Sequence, residues 1–532
     1  MRATTVFRKS YPCLALLLLA LTAAAGVAAA PPAGFDARVE EVRKAAGVPG
    51  MAVAIVEQGE VTLARGYGVR KLGTRDRVDA DTLFPTGSTG KAFTTAALAV
   101  LVDEGRLDWD DPVIEHMPWF RMYDPWVTRE ITIRDLLVHR SGLGLGAGDL
   151  LFVPRTNLSR RESVERLRYI KPATSFRSGY AYDNVLYMAA GQLIEEVTGR
   201  TWEVFVKEAI LEPAGMVNSV TEDEDRFANP NRAHPHARVS GAFRGLGEQQ
   251  VLDERDALGR NAAPAGGISS SANDMARWML IQLARGALPG GDGRLFSEEQ
   301  AKEMWKPVVV LEPRQWPGDL APLTANFSTY ALGWGVEDYR GVKLVRHGGA
   351  VFGVQTIVVL IPEKDVGIFA VINSEDGEVL LGLAAELVDH YLGLPHTNWT
   401  ERFADFRRQR NEAMLKAFQA ETAEPADVGP SLPLAGYAGD YADPWYGPIA
   451  IRLEDGRLRI DFRQSPGMVG DLEHWQYDTF RTRWDDETIE PAYVTFALDA
   501  DGKVARITMK AVSPLADFSW DYHDLDLTPV TN

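Results

Sequence analysis

The first hydrophobic positions after the N-terminal segment follow the pattern of β-strands. From Met51 to Tyr67 two largely apolar runs flank the turn dipeptide Gln58-Gly59, which predicts an antiparallel hairpin. Residues 88 to 104 then place apolar side chains at helical spacing, and Gly105 follows where a glycine commonly ends a helix. We therefore expect a sheet that begins near the N-terminus and is followed directly by a helix.

The pattern from residue 106 to residue 395 completes an α/β fold. A long, mostly helical middle extends to about residue 285, and three strand patterns follow at residues 342–346, 354–361 and 366–372. Residues 378–391 then have helical spacing. This order predicts an antiparallel sheet, built from both ends of the segment and flanked by helices, together with an all-helical subdomain.

The C-terminal part has a different pattern. Residues 396–430 are polar and end in a proline-rich stretch, which predicts a linker between a domain at 31–395 and a domain at 431–532. Hairpins at 449–462 and 493–509 turn at Asp-Gly dipeptides, so this second domain is expected to be a small all-β sheet or barrel. Its Trp445, Tyr446 and Trp475 either fill a core or line a substrate mouth, and the core is favoured.

The N-terminal segment has the features of a secretory signal peptide. Arg2, Arg8 and Lys9 precede an apolar run at residues 14–21, and small residues follow up to residue 30. We expect a signal peptide at 1–30 and a periplasmic or secreted protein, with a retained N-terminal anchor as the alternative. The single cysteine, Cys13, lies in this segment, so cysteine nucleophiles, disulfides and zinc-thiolate sites are not expected in the mature chain.

Composition and charge limit the partners. The chain is 45% hydrophobic and 24% charged, and its formal net charge of −18 becomes more negative when the three cations of the signal peptide are removed. Such a charge repels nucleic acid and anionic lipid surfaces. We expect a small-molecule ester, peptide or amide substrate, no nucleic acid and no membrane span after signal removal, while the oligomeric state stays open.

One pair of side chains has the spacing of an activated nucleophile. Ser88 and Lys91 lie three residues apart, so a helix places them side by side and gives the serine a basic neighbour. The preceding Thr86-Gly87 turn leads directly into this helix, which allows the Ser88 N–H to face an oxyanion. On its own, this pair also fits a helix start with a surface lysine.

Three motifs together identify a family. Ser88-Thr89-Gly90-Lys91, Tyr182-Asp183-Asn184 and His347-Gly348-Gly349 occur in order, and residues 131–143, 211–216 and 264–271 add further matches. Over residues 35–395 the sequence resembles the serine β-lactamase and penicillin-binding protein superfamily, in particular the branch of class C β-lactamases and family VIII esterases. The segment from residue 434 onward resembles the small lipocalin-like β-domain of some such hydrolases.

The resemblance implies a role for each motif residue. Ser88 would be the nucleophile, Lys91 and Tyr182 together the base, and Tyr182 the acid for the leaving group. Asn184 would hold the lysine and the substrate amide, beside His347, Gly348 and Gly349 of the substrate-binding strand. The backbone N–H groups of Ser88 and Ala350 would form the oxyanion hole.

This mechanism needs perturbed pKa values. A lysine base must have its pKa lowered to about 7, which burial favours, and we expect the ammonium of Lys91 to lower the pKa of Tyr182. No cofactor and no metal are implied, because His234 and His236 form a pair without a third ligand.

Two positions depart from the family pattern. His347 stands where the family has a lysine, and a histidine titrating near pH 6.5 is a weaker anchor for a substrate carboxylate, if it is not simply a core residue. By ungapped counting, Gly146 stands where class C β-lactamases have a glutamine that binds the substrate amide.

We therefore predict an exported serine hydrolase that acts on esters or on peptide and D-amino-acid amides through an acyl-enzyme. A β-lactamase or D,D-carboxypeptidase is the first alternative. A non-catalytic binder of cell-wall fragments is the second.

Overall fold

The computed structural model describes Met1 and residues 30–253, 258–291, 293–421 and 426–530. The expected signal peptide and Cys13 therefore lie outside the described residues, apart from Met1 and Ala30.

The first part of the chain, the α/β unit, contains one large antiparallel sheet. The strands up to residue 372 are β1 (Gly50–Glu57), β2 (Glu60–Gly68), β3 (Phe84–Pro85), β4 (His236–Arg238), β5 (Gln249–Val251), β6 (Ser269–Ser270), β7 (Val309–Leu311), β8 (Ser328–Tyr330), β9 (Gly335–Tyr339), β10 (Val342–Val351), β11 (Val354–Ile361) and β12 (Val366–Ile372). Eight of them form the sheet in the order β2-β1-β12-β11-β10-β9-β8-β7. The pairing of β1 with β12 joins the two ends of the unit, as the sequence predicts.

Helices cover both faces of this sheet. They are α1 (Phe35–Ala45), α2 (Lys91–Asp103), α3 (Val113–His116), α4 (Pro125–Glu130), α5 (Ile133–Leu136), α6 (Arg160–Glu165), α7 (Val185–Thr198), α8 (Trp202–Val206), α9 (Asp223–Ala228), α10 (Ala263–Gly266), α11 (Ala272–Leu283), α12 (Glu298–Met304), α13 (Glu378–Tyr391) and α14 (Trp399–Glu421). None of the helices among the described residues is both long enough and apolar enough to cross a membrane.

Strand β1 shows why the sheet needs helices on both sides. Met51, Val53 and Ile55 pack into the apolar cluster that includes α1 and α13. Alternate residues, Ala52 and Ala54, belong to the cluster that includes α2 and α11. Because successive side chains of a strand point to opposite faces, a fully buried strand requires apolar cover on each face.

The C-terminal part forms a closed barrel. Its strands are β13 (Gly439–Asp443), β14 (Gly447–Glu454), β15 (Arg457–Phe462), β16 (Val469–Gln476), β17 (Thr479–Trp484), β18 (Ala492–Leu498), β19 (Val504–Ala511) and β20 (Asp526–Pro529), and β20 pairs with β13. Trp445 and Tyr446 are buried, which confirms the core interpretation for these two residues. Trp475 is half-buried against Tyr493. The predicted fold class is thus confirmed, whereas the domain limits at 30, 395 and 430 stay predictions.

The barrel and the α/β unit are in close contact. The Arg166 guanidinium donates to the backbone carbonyls of Trp445 and Tyr446, both at 2.9 Å. Buried apolar side chains of the barrel also belong to the same continuous cluster as those around α2 and α7. The segment expected to be a linker carries α14, whose Trp399 is buried and donates to Asp389 of α13.

Candidate active site

Ser88 and Lys91 lie where the chain leaves β3 and enters α2. A short 3-10 turn, Gly87–Gly90, precedes the helix, so Ser88 lies on a tighter turn than the predicted helix start. Lys91 is fully buried, and its Nζ lies 3.0 Å from Ser88 Oγ. The structure therefore brings the hydroxyl and the amine into hydrogen-bond contact.

Two further contacts orient the Lys91 amine. Nζ donates to Asn184 Oδ1 at 2.8 Å and to the Ala265 carbonyl at 2.9 Å. Both oxygens can only accept, so the two hydrogens of a neutral amine go to them and its lone pair is left facing the Ser88 hydroxyl. Burial lowers the pKa of Lys91 to about 7, although the Asp149 and Asp183 carboxyls oppose this shift. The contacts of Lys91 are those of a base directed at Ser88.

Tyr182 lies beside this pair. Its ring is 4.7 Å from Lys91 Nζ and packs against the buried His139 ring, with 4.2 Å between the ring centroids. Within the part of the chain that the structure describes, its buried hydroxyl has no hydrogen-bond partner of normal geometry. The expectation of a lowered pKa is wrong: burial raises the pKa of Tyr182 well above 10, and the nearby Ser88 only opposes this rise.

Asn184 connects Lys91 to a buried carboxyl group. It is the residue just before α7, and its Nδ2 donates to Asp149 Oδ2 at 2.9 Å. Burial raises the pKa of Asp149 to about 7, while Lys91 and the hydrogen bonds from Ser519 and Asn184 oppose this rise. Sequence reasoning missed Asp149, although an acidic residue inside the apolar, glycine-rich segment 143–153 is unusual.

The third motif lies within strand β10, which is longer than the predicted strand. Pairing with β9 ends at Arg346, so His347 to Ala350 have a strand partner only on the β11 side. The free side approaches the Ser88 turn: a Cβ on Gly349 would lie 3.1 Å from Ser88 N, and a Cβ on Gly87 would lie 2.8 Å from Ala350 N. The backbone amides of Ser88 and Ala350 are thus neighbours, and glycine is required at this close approach. Gly348 has no such tight contact on the helix side.

His347 is an uncharged, fully bonded residue. Its Nδ1 donates to the Gly348 carbonyl at 2.6 Å, and its Nε2 accepts from the Tyr330 hydroxyl at 2.8 Å. Burial first, and the Lys91 charge second, lower its pKa to about 3. The expected titration near pH 6.5 is therefore wrong, and with it the view of His347 as an imidazolium that anchors a carboxylate.

The barrel contributes residues to this site that sequence reasoning missed. Ser519 Oγ donates to Asp149 Oδ2 at 2.7 Å, and Asp521 accepts from the N–H groups of Gly148 and Leu150. Phe518 packs edge-on against Tyr182, with 5.9 Å between the ring centroids. A signal was present in the acidic and aromatic residues of segment 517–524, but nothing in the sequence pairs them with residues near 149.

Gly146 has a structural explanation. Its φ is +71°, and a Cβ there would lie 2.5 Å from the Phe518 carbonyl oxygen. The barrel segment therefore occupies the space next to residue 146, where any side chain would collide with it.

The histidine pair outside the site is bonded within the protein. His236 Nε2 accepts from the Leu72 N–H at 3.1 Å, and its Nδ1 donates to the Asn373 carbonyl at 2.9 Å. Among the residues that the structure describes, no group of three histidine, cysteine or acidic side chains is arranged to hold a metal ion.

Models of known protein families match both parts of the chain. The model of the Beta-lactamase family matches residues 35–393. The model named Domain of unknown function (DUF3471) matches residues 423–529.

Two curated relatives match this chain over most of their own length. Unguisins hydrolase ungD from Aspergillus violaceofuscus is 29% identical over 457 residues, which cover 81% of this chain and 78% of that protein. Penicillin-binding protein 4 from Amycolatopsis lactamdurans is 28% identical over 63% of this chain and 83% of that protein.

Two solved structures share the fold. The octameric penicillin-binding protein homologue from Pyrococcus abyssi aligns with a TM-score of 0.55 at 21% identity, over 90% of this chain and 98% of that one. SurE aligns with a TM-score of 0.54 at 21% identity, over 94% of this chain and 98% of that one.

Proposed function

The chain belongs to the beta-lactamase family and is a serine hydrolase, and we propose that it is exported and cleaves esters or peptide amides through an acyl-enzyme on Ser88. One observation carries the choice of nucleophile. The amine of Lys91 is buried, gives both hydrogens of its neutral form to carbonyl oxygens and directs its lone pair at the Ser88 hydroxyl.

The acylation step follows from these positions. Ser88 Oγ attacks the substrate carbonyl carbon while its proton passes to Lys91 Nζ, and the N–H groups of Ser88 and Ala350 donate hydrogen bonds to the developing oxyanion. The tetrahedral intermediate then collapses and breaks the bond to the leaving oxygen or nitrogen. This atom takes the proton of the neutral Tyr182 hydroxyl, which has no hydrogen-bond partner of normal geometry among the described residues, and Tyr182 regains a proton from Lys91. In deacylation a water molecule attacks the acyl carbon and gives its proton to Tyr182, which passes its own to Lys91. The bond between the acyl carbon and Ser88 Oγ then breaks, and Lys91 returns a proton to Ser88 Oγ.

The proposed substrate class follows from His347. A neutral, buried imidazole supplies no positive charge for a substrate carboxylate, which favours uncharged acyl donors: esters, and amides whose carboxylate is blocked or distant. One relative supports hydrolysis in general, because it is named a hydrolase of unguisins.

Export is the less direct part of the proposal. It rests on the basic and apolar segment at residues 1–30 alone. Detecting the processed N-terminus by mass spectrometry of the exported fraction tests it, and an unprocessed chain that stays in the cytoplasm would refute it.

A substrate panel tests the proposed class. p-Nitrophenyl esters and D-aminoacyl amides are assayed beside nitrocefin and a D-Ala-D-Ala peptide, with Ser88→Ala as the inactive variant and Ser178→Ala, an exposed serine, as the control. We expect turnover of the uncharged esters or amides to exceed that of the two carboxylate-bearing substrates by at least about tenfold, the effect of one charge-assisted hydrogen bond. Comparable turnover of nitrocefin or the peptide would favour a β-lactamase or D,D-carboxypeptidase, and no turnover at all would favour a binder.

A further inference from the structure

The carboxyl group of Asp149 is held by two parts of the molecule at once. It lies on a short 3-10 turn, Asp149–Leu151, and is fully buried. Its Oδ2 accepts one hydrogen bond from Asn184 of the α/β unit and one from Ser519 of the barrel. Asp149 therefore connects the barrel to the residue that binds the Lys91 amine.

The barrel also fixes the backbone around Asp149. The buried Asp521 carboxyl group accepts from Gly148 N at 2.7 Å and from Leu150 N at 3.1 Å. These two amides flank Asp149, so one barrel side chain holds its backbone while Ser519 holds its carboxyl group. Burial raises the pKa of Asp521 well above its usual range, with a further contribution from Asp149.

The orientation of the Asn184 amide depends on Asp149. An asparagine side chain presents an acceptor on one side and two donors on the other. With Asp149 accepting from Nδ2, Oδ1 is left to accept from Lys91. Without that acceptor, the amide is free to turn and donate to the Lys91 lone pair, which would then no longer face Ser88.

Asp149 also acts on Lys91 through its charge. Several elements bring titratable groups close to Lys91. These groups are Asp149 on its turn, His139 after α5, Tyr182 and Asp183 in the loop before α7, Tyr187 of α7 and His347 of β10. Of these, the two carboxyl groups raise the pKa of Lys91, and burial lowers it. Asp149 itself faces Asp521 and Asp517 of the barrel segment.

We propose that Asp149, held by Ser519 and Asp521 of the C-terminal barrel, is a positioning residue that orients Asn184 and thereby directs the Lys91 amine at Ser88. The inference rests on the proposed function, because it assigns Asp149 a role only if Lys91 is the base. The barrel is then a working part of the active site rather than an appended domain.

The experiment uses the full-length chain with four variants. Asp149→Leu removes the acceptor and the charge, Asp149→Asn keeps one acceptor oxygen, and Ser519→Ala removes only the bond from the barrel. Ser513→Ala is the control, because this serine lies in the same barrel segment but accepts from Leu515 N at 3.1 Å. Acylation by p-nitrophenyl acetate is followed as a burst across pH 5 to 9, and a fluorophosphonate probe reports labelling of Ser88.

We expect Asp149→Leu to slow acylation by about tenfold to a hundredfold, the size of one lost hydrogen bond to a charged group, with KM unchanged. Asp149→Asn should recover part of the rate. In both, the acidic limb of the pH profile should move to lower pH, because a carboxylate that raises the pKa of Lys91 is gone. Ser519→Ala should move it less in the same direction, and Ser513→Ala should match the wild type.

The outcomes separate this inference from the proposed function. If Ser88 is labelled and the burst is intact, but Asp149→Asn and Ser519→Ala keep the wild-type rate and the wild-type acidic limb, Asp149 only joins the two units and the inference is wrong. If the Asp149 and Ser519 variants have a lower thermal transition temperature but an unmoved acidic limb of the pH profile, the inference is likewise overturned. If the wild-type chain itself shows neither label nor burst, the proposed function fails and the role of Asp149 fails with it.

Discussion

Replacing Lys91 with methionine tests whether the site keeps a buried amine at the expense of stability. Lys91 is fully buried, and burial lowers its pKa from 10.5 to about 7. Methionine is of similar length and uncharged, so the substitution removes the desolvation cost and leaves the packing nearly filled. We expect the variant to be inactive and more stable than the wild type.

The size of the effect follows from two opposing contributions. Lowering the pKa from 10.5 to about 7 corresponds to about 5 kcal/mol, at about 1.4 kcal/mol for each pH unit. Against this, Asn184 Oδ1 and the Ala265 carbonyl each lose a donor, at about 1.5 kcal/mol for each unpaired acceptor. The variant should therefore gain about 2 kcal/mol in the free energy of unfolding at pH 7.

The gain has a defined pH dependence. Between pH 7 and pH 10.5 the folded wild type binds fewer protons at Lys91 than the unfolded chain, so the cost is absent above about pH 10.5 and grows as the pH falls. Below the folded pKa of about 7 the cost is constant. The difference in stability between variant and wild type should thus increase from about pH 10.5 to pH 7 and then level off.

Urea unfolding followed by tryptophan fluorescence at pH 6, 7, 8 and 9 measures this difference. Lys302→Met is the control, because that lysine side chain is 67% exposed, so its replacement removes no buried amine. A difference that is constant from pH 6 to pH 9, or a variant that is less stable at every pH, would refute a buried lysine with a lowered pKa.

Three further predictions concern the surrounding side chains. Tyr182→Phe should reduce kcat by about a hundredfold or more with little change in the thermal transition, because its hydroxyl has no hydrogen-bond partner of normal geometry among the described residues; a small kcat effect would exclude it as the acid. For the wild type and for His347→Gln, KM for a carboxylate-bearing ester should be flat from pH 5 to pH 8, since burial lowers the pKa of His347 to about 3; a KM that decreases below pH 6.5 only in the wild type would restore the imidazolium anchor. Phe518→Ala should raise KM for bulky acyl esters but not for acetyl esters, because its ring is 38% exposed beside Tyr182; equal changes for both would show a packing role.

Local sequence patterns predict much of the fold. The hairpin of β1 and β2 turns at Gln58-Gly59 as expected, because turn residues and strand alternation act over a few neighbouring positions. The same holds for the Asp455-Gly456 turn between β14 and β15. Ser88 and Lys91 meet because they share one helix start, as the spacing predicts, and Asn184 contacts Lys91 as the family resemblance implies.

The remaining features of the site depend on contacts between distant parts of the chain. Ser519 and Asp149 are separated by 370 positions, and no periodicity in either segment indicates the other. The pKa values of Tyr182 and His347 differ from the sequence-based expectation for a related reason: both are set first by burial, which arises only when several elements enclose the site.

The most direct test of the account is to trap the acyl-enzyme and locate it. The full-length wild type is mixed with a slow p-nitrophenyl ester or a fluorophosphonate, quenched in acid and analysed by intact-mass and peptide mass spectrometry, beside Ser88→Ala and Lys91→Met. We predict one adduct per chain, mapped to Ser88, absent in Ser88→Ala and formed at least about a hundredfold more slowly in Lys91→Met. An adduct on another residue, or full turnover by Ser88→Ala, would contradict the assignment of Ser88 as the nucleophile.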